Sequence, residues 1–183
     1  LITLRDERSY KTLHEIGIEN KNVKVTADPA LDLDIADEKL GKAILKNEGV
    51  PSDKKLLGVS VRKWQNLGSD FETQIANACD YAYEKYGYYT VFLPMQSSRD
   101  TAIMQNIKRK MKHESAIIKK RYSVEGMLSI IKCFDMCIGM RLHTLIYAAI
   151  NSVPLIGLVY DPKINSFMEY THQRHYVDVN EVT

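Results

Sequence analysis

Apolar residues in this chain gather into short continuous runs separated by longer mixed segments. Runs at 56–61, 89–94, 136–138 and Leu155–Val159 have the length and continuity of strands buried on both faces. Shorter stretches at 115–118 and 177–179 read as edge strands. The intervening segments carry helical spacing. Phe71–Tyr86 places Phe71, Ile75, Ala78, Ala82 and Tyr86 on one stripe. Helices are predicted over 99–111 (capped by Ser98 and Asp100), from Ser123 to Phe134 with Met127, Ile130 and Ile131 facing inward, over 141–150, and over 164–170. Strands alternating with helices through short links predict an α/β fold: a Rossmann-like, doubly wound parallel sheet.

The opening of the chain reads differently. A strand at 1–4, a charged turn Arg5-Asp6-Glu7-Arg8, a helix to Ile16 with Ser9 as N-cap and Gly17 as its stop, and a strand at 23–26 closed by Asp28-Pro29 make a unit too small for a core of its own. Because the chain enters directly in a strand at Leu1, residues 1–50 are expected to be the remnant of an N-terminal domain plus a linker helix at 36–47. Gly49-Val50-Pro51-Ser52 marks the boundary, and residues 51–183 form the second domain.

Parallel strands deliver their C-terminal ends to one edge of a sheet, the edge where open α/β sheets take ligands. Here that edge collects Ser60 and Arg62, Gln96, the turn 139–143, and Tyr160, Asp161 and Lys163. Gly139 permits a sharp bend. The helix after it starts with free N–H groups and a partial positive charge suited to an anion. Arg141 adds a planar donor fork, and His143 an imidazole, the side-chain type suited to proton transfer near neutral pH. Each residue alone has a structural alternative: Arg141 pairing with a carboxylate, His143 capping a carbonyl. Their convergence on one rim favours a site. Neither GxGxxG nor GxxxxGK[ST] occurs, so dinucleotide and P-loop readings lack their fingerprints.

Composition narrows the partners. The 183 residues carry a net charge of +2, too small to argue for nucleic acid. The tyrosines at 81, 83, 86, 88 and 89 lack a basic stripe and read as packing rather than a base-stacking platform. No apolar run approaches the roughly 18 residues that span a bilayer, and no signal-peptide pattern is present. Cys79, Cys133 and Cys137 are an odd, sparse set that suggests reduced thiols in the cytoplasm. His172 and His175 have the spacing of metal ligands without an acidic or cysteine partner nearby, so surface histidines are expected and no metal or other cofactor.

Several motifs, in order, resemble the polysaccharide pyruvyl transferase family, the bacterial cell-wall type in particular. They are Arg5-Asp6-Glu7 with Ser9, Asp28-Pro29-Ala30, Gly58-Val59-Ser60-Val61-Arg62, Gly139-Met140-Arg141-Leu142-His143, Ala148-Ala149, Val153-Pro154 and Tyr160-Asp161-Pro162-Lys163. The resemblance implies a GT-B-like architecture, with this chain matching the C-terminal, donor-binding half and the last strands of the N-terminal domain. It implies transfer of a pyruvyl group from phosphoenolpyruvate to a sugar of a cell-surface polysaccharide, giving a ketal and phosphate. The acceptor in cell-wall enzymes is lipid-linked, which would bring a cytoplasmic protein to the inner face of the membrane. Carried over by motif, Arg5 and Arg141 would bind the donor's anions, with His143 as acid/base and Lys163 beside it. Two other readings stay open: a GT-B nucleotide-sugar glycosyltransferase using Asp161 for a ribose, and a non-catalytic Rossmann-like domain that binds an anion.

Overall fold

Strand β3 (Lys55–Ser60) is the axis of the molecule: every residue after Lys55 is buried. It pairs in parallel with β4 (Tyr88–Phe92) on one side and with β6 (Met136–Gly139) on the other. In this computed structural model, which describes residues 1–34, 36–65, 67–68 and 70–182 with all their side chains except those of Ser97 and Ser98, the sheet is completed by β5 (Ser115–Ile117), β7 (Leu155–Val159) and β8 (Tyr176–Asp178). The order is β5-β4-β3-β6-β7-β8, parallel throughout. The chain winds outward from β3 through β4 to β5, then returns to β6 and winds outward on the other side. The reversal between β3 and β6 is the switch point at which the strand ends diverge and leave a crevice.

Both faces of the sheet are covered, as its continuous apolar strands require. Leu57 and Val59 point to one face, where α3 (Phe71–Tyr86) and α4 (Ser97–Lys110) bring Phe71, Ile75, Met104 and Ile107. Leu56 and Val91 point to the other, under α5 (Val124–Lys132), α6 (Leu142–Ile150) and α7 (Pro162–Tyr170), which contribute Ile130, Ile131, Leu145, Ile146 and Ile164. The buried apolar residues of α3 are Phe71, Ile75, Ala76 and Cys79; Ala78 and Tyr86, predicted inward, are exposed. Alanine is small enough for either side of a helix, so the inner azimuth is set by the larger Phe71 and Ile75.

The opening unit forms a separate two-stranded parallel sheet, β1 (Ile2–Leu4) and β2 (Val23–Val25), joined by α1 (Glu7–Glu15). None of its described residues is buried. The cap of α1 is Asp6, not Ser9: the Ser9 N–H donates to Asp6 Oδ1 at 2.7 Å. A 3-10 turn at Pro29–Asp32, capped by Asp28, leads to α2 (Glu38–Asn47). This helix is not a free linker. Ile44 and Leu45 enter the main core, and α2 presses so closely on α5 that a Cβ at Gly41 would lie 1.9 Å from the Ser129 carbonyl oxygen. α2 thus packs on the helices that cover one face of the large sheet. Cys79 and Cys137 are free and buried, and Cys133 is free and partly buried. Among the described residues, no helix is long and apolar enough to cross a membrane.

Candidate anion-binding site

Four strand-end turns and the opening unit meet over the switch point around a cleft of 450 Å³. Arg5, Arg62, Gln96, Arg141, His143 and Lys163 line it; Met95, Leu142, Tyr147 and Tyr160 supply its apolar walls. Three arginines, a lysine and an imidazole thus share one small space, and no carboxylate lines it among the described residues. A larger groove of 740 Å³ lies between α1 and α7, but its charged lining is Asp6, Glu7, Glu15 and Glu169 with Arg8 and Lys11. Carboxylates outnumber cations there by four to two, so the smaller cleft is the better anion site.

Each cation is held differently. Arg141 is the N-cap residue of α6 and is only 17% exposed. Its Nε donates to Asp100 Oδ2 at 3.1 Å, and its Nη2 donates to Asp100 Oδ1 and, at 3.2 Å, to Gln96 Oε1. Asp100 itself is fully buried, and its Oδ2 also accepts the Gln96 backbone N–H at 2.9 Å. Arg62 donates from Nη1 to the Tyr160 hydroxyl at 3.2 Å and lies 5.3 Å from the ring centre of Trp64 and 5.4 Å from that of Tyr160. Its guanidinium is thus fixed by cation–π contacts, while its buried Nε has no partner among the described residues. Lys163 and Arg5 are looser. Lys163 Nζ is 3.6 Å from Asp161 Oδ2 and 5.5 Å from the Tyr160 ring centre. Arg5 reaches Asp6 at 3.4 Å and Asp28 at 3.8 Å with 41% of its side chain exposed.

Two helices begin at the cleft, and their N-termini differ. Asp161 caps α7, accepting the Lys163 N–H at 3.0 Å. No side chain caps α6. Its first two amides, those of Leu142 and His143, have no hydrogen-bond partner among the described residues, and the helix dipole there adds to the charge of Arg141. Gly139 holds this start against β6. Its backbone is not in the left-handed region; the reason for glycine is contact, because a Cβ would lie 2.6 Å from Leu145 Cδ2. His143, the second residue of α6, is exposed, with its ring centre 6.1 Å from that of Tyr147, and no hydrogen bond orients it among the described residues.

Six of the seven residues singled out from the sequence line this one cleft. Ser60 does not. It is fully buried at the end of β3, its carbonyl accepts the Met140 N–H at 2.7 Å, and its Oγ has no partner among the described residues. The sequence reading also missed residues that matter here. Asp100 was expected only as a helix cap; it is the partner of Arg141. Ser98, expected beside it, has a side chain outside the described residues. Tyr147 carried no local signal beyond its place on α6, whereas Tyr160 stands on the rim where the strand end put it. Among the described residues, no three His, Cys, Asp or Glu side chains are grouped to hold a metal.

The fold is thus a parallel α/β sheet with a cationic cleft at its switch point. The chain belongs to the polysaccharide pyruvyl transferase family, a family of transferases, whose sequence model matches residues 1–162; Lys163 lies one residue past the match. Comparison with curated proteins finds no significant match. Among solved structures, the UDP-GlcNAc 2-epimerase of Methanocaldococcus jannaschii in complex with UDP-GlcNAc and UDP is similar with a TM-score of 0.70 and 16% identity, over 97% of this chain and 50% of that one. A family 9 glycosyl transferase from Veillonella parvula gives 0.60 and 15%, over 92% and 46%. ADP-heptose LPS heptosyltransferase II of E. coli gives 0.60 and 14%, over 78% and 44%. These glycosyltransferases and epimerases are of the GT-B type, and the likeness is one of fold. The chain spans about half the length of the structures it resembles.

Proposed function

We propose that the cleft binds phosphoenolpyruvate and that the protein transfers its pyruvyl group to two hydroxyls of a sugar in a cell-surface polysaccharide. The observation that carries this reading is the lining: Arg5, Arg62, Arg141 and Lys163 around one space, beside the uncapped start of α6. A donor with both a carboxylate and a phosphate calls for more than one cation. In this reading Arg141 and Arg62 are fixed donors, while Lys163 and Arg5 move in to complete the shell. The division into an opening unit within residues 1–50 and a donor-binding domain beyond it belongs to the same proposal, with α2 moved to the latter.

The chemistry needs one group that gives and takes protons. A proton placed on the donor's methylene carbon leaves a cation at C2 stabilised by its oxygen. A sugar hydroxyl attacks C2 and gives up its proton; the C2–O bond to phosphate then breaks, and a second hydroxyl closes the ketal. Of the protons released by the two hydroxyls, one balances that added to carbon and the other leaves on phosphate. His143 is the acid/base in this scheme, since an imidazole works near neutral pH. The nucleotide-sugar reading is weaker here, because Asp161, its ribose candidate, is occupied by capping α7 and by Lys163.

Isothermal titration of the protein with phosphoenolpyruvate and, separately, with UDP decides between the donors. Saturable binding of phosphoenolpyruvate that Arg141→Ala weakens is expected. Binding of UDP alone would overturn the proposal.

A further inference from the structure

An arginine carries five N–H donors, and its most selective grip on an oxyanion uses the edge formed by Nε and one Nη, or the edge formed by both Nη. In Arg141 the first edge is taken. Nε and one hydrogen of Nη2 are held by the two oxygens of Asp100, and the other hydrogen of Nη2 is held by Gln96 Oε1. Only the two hydrogens of Nη1 are without a partner among the described residues. Asp100 is at the same time tied to the backbone N–H of Gln96, where α4 begins. It therefore links the turn after β4 to the turn after β6 across the end of β3, beneath the cleft.

A buried ion pair of this kind gains little stability over a well-packed apolar pair. What it does provide is direction. We infer that Asp100 is a positioning residue that fixes Arg141 so that Nη1 alone faces the ligand, and that this end-on presentation selects the larger two-anion donor over inorganic phosphate. The inference rests on the phosphoenolpyruvate reading of the cleft. With Asp100 in place, Arg141 meets one anionic group of the donor at a set distance from Arg62. Without it, the guanidinium is free to turn its fork to any oxyanion, and the cleft keeps its charge while losing its discrimination.

The test compares two ligands and two proteins. Phosphoenolpyruvate and inorganic phosphate are titrated into the wild type and into Asp100→Asn, with melting temperatures recorded for both. In the variant, phosphoenolpyruvate affinity is expected to fall about tenfold, the scale on which lost preorganisation shows in binding, while phosphate affinity stays within about threefold. Equal weakening of both ligands, or no change in either, would overturn the inference and leave the donor assignment standing. A wild type that binds phosphate but not phosphoenolpyruvate would overturn both. A second measurement needs no altered fold. The Arg141 Nε–H resonance, assigned by its loss in Arg141→Lys, is followed in ¹⁵N-labelled wild type during phosphoenolpyruvate addition. It should stay slow in exchange with water throughout, since Asp100 keeps it. If the ligand displaces Asp100 and takes the fork, the signal moves and exchanges, and the inference is wrong.

Discussion

The contact between Gly139 and Leu145 is where stability and site geometry can be tested together. Gly139→Ala would put a methyl 2.6 Å from Leu145 Cδ2 and 2.9 Å from Cγ, and Leu145 is fully buried. Neither atom has open space to move into, so the start of α6 must shift away from β6. Overpacking of this kind costs about 1–3 kcal/mol. For a chain of this size, about 2 kcal/mol lowers the melting temperature by about 4–8 °C. Leu145→Ala alone removes the obstructing atoms but leaves a cavity, at about 2–5 kcal/mol. In the double variant the new methyl enters the space that Leu145 vacated. Its loss should fall short of the sum of the single losses by about 1 kcal/mol or more, the size of coupling seen between touching residues. Urea denaturation of the four proteins gives the cycle, and phosphoenolpyruvate titration of Gly139→Ala should show weaker binding, because Arg141 and the first α6 amides ride on the displaced turn. Additivity within about 0.5 kcal/mol, or Gly139→Ala with wild-type stability, would refute the account of why glycine is needed here.

Other expectations follow from the site and its supports. His143→Gln should cut turnover by about 10²–10⁴-fold, the usual worth of a general acid/base, while donor affinity by calorimetry stays close to wild type; unchanged turnover would remove His143 from the chemistry. Asp161→Ala should cost about 1 kcal/mol by uncapping α7, read as an earlier urea midpoint, and an unchanged midpoint would count against the cap. Glu48 is the pH probe. Burial raises its pKa, but hydrogen bonds from the Lys119 N–H, the Tyr122 hydroxyl and the Lys120 N–H outweigh this and leave it below the usual glutamate value. A carboxyl with a depressed folded-state pKa stabilises the protein above the ordinary glutamate range and ceases to do so as pH falls through the lower value. Glu48→Gln should therefore be less stable than the wild type at neutral pH, the gap closing in acid; a gap independent of pH would contradict this.

The strands were legible because each is an apolar run short enough to exclude a helix and bounded by Gly, Pro or charge. Parallel pairing then brought Arg62, Gln96, Arg141, His143 and Lys163 to one rim without any knowledge of side-chain contacts. What escaped were features with no local signature. Asp100 and Arg141 are 41 positions apart, and only the sheet order makes them neighbours. Ser60 looked like a rim residue because strand length was clear and strand azimuth was not. Asp6 outcompeted Ser9 as a cap because it sits one turn earlier, where its carboxylate reaches the Ser9 N–H. The part of α2 in the core hinged on Gly41, whose value lies in what a side chain there would strike on α5. Gly139 was flagged for the right turn and the wrong reason.

The two rims of the large sheet, β5 and β8, are both three-residue strands, while β3 at its centre has six. An unpaired strand is a template on which a foreign strand can grow, and its hold scales with the number of free backbone groups it offers. Three residues offer few. The tapered outline lets a sheet with a strongly apolar middle end on both sides without inviting a neighbour to extend it, which favours a dispersed protein over one that stacks edge to edge.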